Sequence, residues 1–66
     1  MFIQVNGTER EVPDGATVTE MLAALDVPGR GVAVAVDGIV VAKTDHDRTV
    51  VRSGADVEVL TAVQGG

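Results

Sequence analysis

Thr17-Val18-Thr19-Glu20-Met21-Leu22-Ala23-Ala24-Leu25 is the stretch whose pattern sets the architecture. Thr17 is a good N-cap, and Glu20 three residues later completes a capping box, in which each side chain satisfies a free backbone N–H. Val18, Met21, Leu22 and Leu25 fall at i, i+3, i+4 and i+7, which makes one apolar stripe. Pro28-Gly29 is read as the stop, giving a helix over residues 18–25 with room for one residue more. Two turns with a single apolar stripe cannot stand alone in water, so this helix must pack on a sheet.

The flanking sequence supplies that sheet. Upstream, Phe2-Ile3-Gln4-Val5 reads as a strand, Asn6-Gly7 as a two-residue hairpin turn, and residues 8–12 as the returning strand. Pro13-Asp14-Gly15 then breaks the pattern. Downstream, Val32-Ala33-Val34-Ala35-Val36 puts three valines on one face and two alanines on the other. With both faces apolar, the expectation is that the helix covers one side and a neighbouring surface lies close to the other. Asp37-Gly38 is a second hairpin turn leading into residues 39–42, and residues 43–48 form a polar loop with space for one helical turn. Val50-Val51 is a short extended piece, and Ser53-Gly54-Ala55-Asp56 turns the chain into a last strand over residues 57–63. On that strand Val57, Val59, Thr61 and Val63 share the face that begins in the core. Glu58, Leu60 and Ala62 share the other face, which leaves an apolar spot near the C-terminus.

Hairpin, helix, hairpin and final strand make an α+β arrangement, with one helix packed on a mixed sheet of about five short strands. The order matches the β-grasp (ubiquitin-like) topology, in which the first and last strands lie side by side at the sheet centre. Residues 1–63 are expected to form one β-grasp domain, and residues 64–66 a flexible Gly-Gly tail.

Composition narrows the function. A single core in a 66-residue chain leaves no room for an enclosed substrate pocket, which usually takes about 300 Å³ or more. Activity is therefore expected at the surface or the ends. The chain is 45% hydrophobic with Phe2 as its sole aromatic residue, so the core must be aliphatic and rich in valine, which suits strands. The absence of cysteine excludes a disulfide scaffold and a thiolate metal site. No apolar run approaches a membrane span, and Met1-Phe2-Ile3-Gln4-Val5 lacks the charged start of a secretory signal, so a cytoplasmic protein away from membranes is expected. The net charge is −5, and the five cations (Arg10, Arg30, Lys43, Arg48, Arg52) are scattered, which argues against nucleic acid. Such an acidic surface suits either solubility or docking to a partner with a basic face.

The chain ends Gln64-Gly65-Gly66. An ionised C-terminal carboxylate is a poor electrophile and needs activation, for which transfer to ATP as an acyl-adenylate is the ordinary biological route. An activating enzyme must enclose the terminal atoms and keep water out. A tail without side chains enters a narrow channel and lets backbone approach closely. The carboxylate of Gly66, reached past Gly65, is thus the candidate reactive group, with the domain as handle and a partner as catalyst. Asp45-His46-Asp47 contains the only histidine, but neighbouring loop residues rarely converge on one ion, so it reads as a solvated turn and no metal site is expected. No base stands beside Ser53 or any threonine in a nucleophile motif, and no Gly-rich loop has phosphate-binding spacing. The chain is not expected to be an enzyme or to bind a cofactor of its own.

The stretch Val51-Arg52-Ser53-Gly54-Ala55-Asp56-Val57-Glu58-Val59-Leu60-Thr61-Ala62-Val63-Gln64-Gly65-Gly66 resembles the closing strand and tail of the ThiS family, the sulfur carriers of thiamin biosynthesis. The helix and the Val36-Asp37-Gly38-Ile39-Val40-Val41 hairpin also resemble its members, and so does the length. The resemblance implies that an E1-like adenylyltransferase, using ATP and magnesium, adenylates Gly66. A persulfide sulfur donor of the cysteine desulfurase type then supplies sulfur to give a thiocarboxylate, and thiazole synthase accepts it. It also implies that Leu60, Ala62, Val63 and Gln64 lie on the surface that meets these partners. One departure is Ala55, which stands between Gly54 and Asp56 where many relatives have Gly-Asp directly; it touches a turn. Rival readings are the small subunit of molybdopterin synthase and a carrier serving cysteine synthesis. From another class come a protein modifier and a plain β-grasp interaction module.

Overall fold

The computed structural model describes residues 1–61. The chain order is β1 (Phe2–Val5), β2 (Thr8–Glu11), α1 (Val18–Ala24), β3 (Val32–Val36), β4 (Ile39–Val41), a 3-10 turn (Lys43–Asp45) and β5 (Asp56–Thr61). The five strands form one sheet in the order β2-β1-β5-β3-β4. β1 and β5 pair in parallel at its centre, and the other neighbours are antiparallel. This is the expected β-grasp fold, a mixed sheet with one helix across it.

Both hairpin turns have the conformation their dipeptides favour. Asn6 and Gly7 have φ of 51° and 82°, and Asp37 and Gly38 repeat those values. Two consecutive positive φ angles define the turn whose twist matches the flanking strands, and only glycine takes the second at no steric cost. The first residue of each turn adds something the dipeptide rule does not contain. The Asn6 side chain accepts the Val59 N–H at 2.9 Å and donates to the Val59 carbonyl at 3.0 Å. The Asp37 carboxylate accepts the Asp56 N–H at 2.9 Å. Each hairpin thereby clips its turn to the central strand β5.

At α1 the capping box forms as read: the Thr17 hydroxyl accepts the Glu20 N–H, and the Glu20 carboxylate accepts the Thr17 N–H. The helix ends at Ala24, one residue before the expected limit. Leu25 is its C-cap, and Asp26 takes a left-handed φ of 63°. The Asp26 N–H reaches the Ala23 carbonyl at 3.1 Å and the Val27 N–H reaches the Leu22 carbonyl at 2.9 Å. That pair of bonds is a Schellman closure. The stop is thus Asp26, ahead of Pro28-Gly29.

The core lies between α1 and one face of the sheet. Val18 and Met21 from the helix meet Ile3, Val34 and Val57 from the three middle strands, and Val51 closes one side; all six are fully buried. β2 ends at Glu11, so Val12 belongs to no strand, but it is buried and its N–H bonds to the Met1 carbonyl. Val50-Val51 contributes a single antiparallel bridge, Thr17 to Val50. The β3 expectation needs correction. Its valine face does meet the helix, but Ala33 is exposed and no described element covers the alanine face. The last strand is described through Thr61, which is exposed; its expected extension to Val63, and the tail at 64–66, lie outside the described residues.

Candidate functional site

β5 carries the chain from the sheet centre towards its C-terminal end. Val57 and Val59 point into the core, while Glu58 and Leu60 alternate to the other side, as period two requires. Leu60 pairs with Ala33 and is 69% exposed, so the outward apolar spot read from the sequence exists. Of the other expected site residues, Ala62, Val63, Gln64, Gly65 and Gly66 lie outside the described residues.

The register shows what accompanies Leu60. Glu58 pairs with Ala35, and Ala35 pairs with Val40 on β4. Ala33, Ala35, Val40 and Leu60 therefore share the helix-free face, where with Glu58 they border a shallow hollow of about 110 Å³. Val40 is 75% exposed. On the other half of this face the pairings Gln4 with Asp56, Gln4 with Glu9 and Phe2 with Glu11 align the remaining outward positions. The helix-free face is thus apolar over β3, β4 and the end of β5, and acidic over β2 and the start of β5. No lysine or arginine occupies a strand position on it: Arg10, the only strand cation, pairs with Ile3 and faces the other way. The sequence reading missed Ala33 and Ala35 as lining of this face because it took both faces of β3 to be covered, and it assigned Val40 to neither face. The signal was the shortage of apolar sequence elsewhere to cover the second face.

A larger groove, of about 320 Å³, opens between α1 and the segment around the 3-10 turn. Leu22, Ala23 and Val27 form its apolar side, with Lys43, His46 and Asp47 opposite. Here the solvated-turn expectation for Asp45-His46-Asp47 is corrected, because His46 is only 6% exposed. Its Nε2 lies 3.2 Å from the Val41 carbonyl; since a carbonyl only accepts, that nitrogen carries the hydrogen. The His46 carbonyl takes the Thr19 N–H at 3.1 Å, and the Thr19 hydroxyl donates to the Asp47 carboxylate. Asp45 pairs with Arg48. The three residues are spent in different directions, fastening this segment to α1, β4 and itself. Among the described residues no group of three or more acidic, histidine or cysteine side chains converges as metal ligands.

A helix laid across a five-stranded mixed sheet with parallel terminal strands places the chain among the ubiquitin-like β-grasp proteins. The ThiS family model matches residues 3–66, and the chain belongs to the ThiS family. A crystal structure of a thiamine biosynthesis protein (ThiS) from Geobacter metallireducens is 36% identical, with a TM-score of 0.83 and full coverage of both chains. A solution structure of a thiamine biosynthesis protein from the same organism is also 36% identical, at TM-score 0.84, covering all of this chain and 88% of that one. No curated protein matches the sequence.

Proposed function

We propose that this chain is a sulfur carrier of thiamin biosynthesis whose working group is the C-terminal carboxylate of Gly66. The observation that carries this reading is the family match over residues 3–66, which runs through both terminal glycines. The fold supports it too, since a thiamine biosynthesis protein (ThiS) of known structure shares it at 36% identity over the full chain.

In the proposed cycle the Gly66 carboxylate attacks the α-phosphorus of ATP, and pyrophosphate leaves with magnesium held by an E1-like adenylyltransferase. A persulfide sulfur, delivered by a donor of the cysteine desulfurase type, then attacks the acyl carbon and AMP departs. Thiol reduction of the S–S bond frees the Gly66 thiocarboxylate. Thiazole synthase takes that sulfur as a nucleophile addressed by its protein carrier. By the same family likeness Leu60, Ala62, Val63 and Gln64 help form the docking surface, and Leu60 is exposed on the helix-free face.

The test is mass measurement after incubation with ATP, magnesium, cysteine, a desulfurase and the adenylyltransferase. Trypsin cleavage after Arg52 releases residues 53–66, a peptide without methionine, so oxidation cannot mimic exchange of oxygen for sulfur. An ATP-dependent gain of that mass on this peptide is the expected result. No gain with a competent control carrier would sink the proposal. Deleting Gly66 should abolish the gain and leave the melting temperature unchanged, since it removes a residue without a side chain and the described core residues run from Ile3 to Val59.

A further inference from the structure

We infer that the helix-free face docks as a whole, and that the partner surface it fits carries a basic strip beside an apolar patch. This rests on the carrier reading above and specifies the partner's chemistry. The face divides along the sheet. Ala33, Ala35, Val40 and Leu60 make one half apolar, with Ala33, Val40 and Leu60 exposed and Ala35 half-buried, next to the end of β5. Glu9, Glu11 and Asp56 give the other half three carboxylates around Gln4 and the exposed Phe2, and Glu58 stands where the two halves meet. All four acids are exposed and none is in an ion pair among the described residues.

The apolar half alone would suit many occupants, including a second copy of this chain. The acidic half decides between them. Carboxylates two residues apart on one strand face lie roughly 7 Å from each other, within a Debye length at physiological salt, so they repel. Bringing two copies together through this face would set like charges against each other or strand them against apolar surface, and both cost energy. A partner with Lys or Arg opposite β2 and β5 relieves that repulsion while Leu60 and Val40 lose water contact. Such an arrangement works mainly on encounter: rim charges speed association and fix orientation, and the buried apolar patch slows release. The charged strip also sets register, because sliding the patch sideways would put carboxylates over apolar atoms.

The probe is the adenylyltransferase of the thiamin pathway from the same genome, with adenylation of the full chain read as pyrophosphate release against carrier concentration and salt. Two variants raise the net charge equally, by two units from −5 to −3. E9Q/E11Q removes charge from the face, and A24K/T44K adds it at exposed positions of α1 and the 3-10 turn. Circular dichroism confirms that each is folded. The expected result is that E9Q/E11Q raises KM about tenfold at low salt, with kcat little changed and a flatter salt dependence. A24K/T44K stays near wild type, and the reversal E9K/E11K is worse than the neutral pair. Equal effects of the two charge-matched pairs would overturn the inference and reduce the acids to general solubility. So would a wild-type KM that ignores salt. Both results leave the carrier reading standing, whereas failure of the wild type to be adenylated removes that reading and this inference with it. A salt-sensitive dimer of the free chain, blocked by L60D, would show the face to be a self-contact instead.

Discussion

Asn6 illustrates how one side chain does two jobs. Its left-handed φ of 51° makes the first hairpin turn, and its amide pairs with both backbone groups of Val59. The Gln4 N–H donates to the Ala55 carbonyl and the Asn6 N–H to the Val57 carbonyl, so the Asn6 side chain, on Val59, extends a ladder that the backbone has left. Two substitutions separate the roles. Asn6→Gly keeps the φ freedom but loses both bonds, and should cost about 1–3 kcal/mol in urea unfolding. Asn6→Ala loses the bonds and also strains the turn, so it should cost roughly 1 kcal/mol more. Equal costs would mean that the turn conformation is irrelevant, and no cost for Asn6→Gly that the clip is. A turn at Asn6-Gly7 could be read from the dipeptide, because φ preference is local. The bond to Val59 could not, since it joins residues 53 apart in sequence. The same holds for His46, whose burial comes from α1 and β4 closing over a segment that is polar in its own right.

At the scale of the element, α1 shows a well-built start and a poor finish. Its capping box is complete, and Thr17→Ala should cost about 1 kcal/mol. Its end is held by Asp26, a carboxylate in a left-handed conformation beside the negative end of the helix dipole. Left-handed φ costs a non-glycine residue roughly 1–2 kcal/mol, and glycine gives back about 0.4–1 through the freer unfolded chain. Asp26→Gly should therefore stabilise by about 0.5–1 kcal/mol, checked by thermal melting; a fall in stability would show that the Asp26 side chain has a partner of its own. The helix itself was legible in a capping box and a stripe of four apolar residues. Its C-terminus was not, because Pro28-Gly29 is the louder stop signal and Asp is an uncommon residue at that position.

For the whole molecule, the central pairing of the first and last strands followed from the order of elements, while the use of the two sheet faces did not. Alternation along β3 shows which residues share a side, but which side the single helix covers is a matter of packing. The terminal carboxylate of Gly66 and the apolar spot at Leu60 were legible in the sequence; the acidic strip needed the register of β1 against β2 and β5, which sets residues 9 and 56 on either side of Gln4. The thin core has its own consequence. By chain length the total stability is about 3–10 kcal/mol. Met21 is fully buried where the helix meets the sheet, and Met21→Ala should cost about 2–5 kcal/mol, a large share of that reserve. A circular dichroism melt checks this, and a loss under about 1 kcal/mol would show that the core closes over the gap. Against so small a reserve, the placing of β5 has a mechanical meaning. A tug on the chain beyond Thr61 does not peel an edge strand one bond at a time. It drags a strand gripped on both flanks, parallel to β1 and antiparallel to β3, so the load falls in shear on many hydrogen bonds at once. The domain can thus be weak to heat and still withstand being pulled by the end that follows β5.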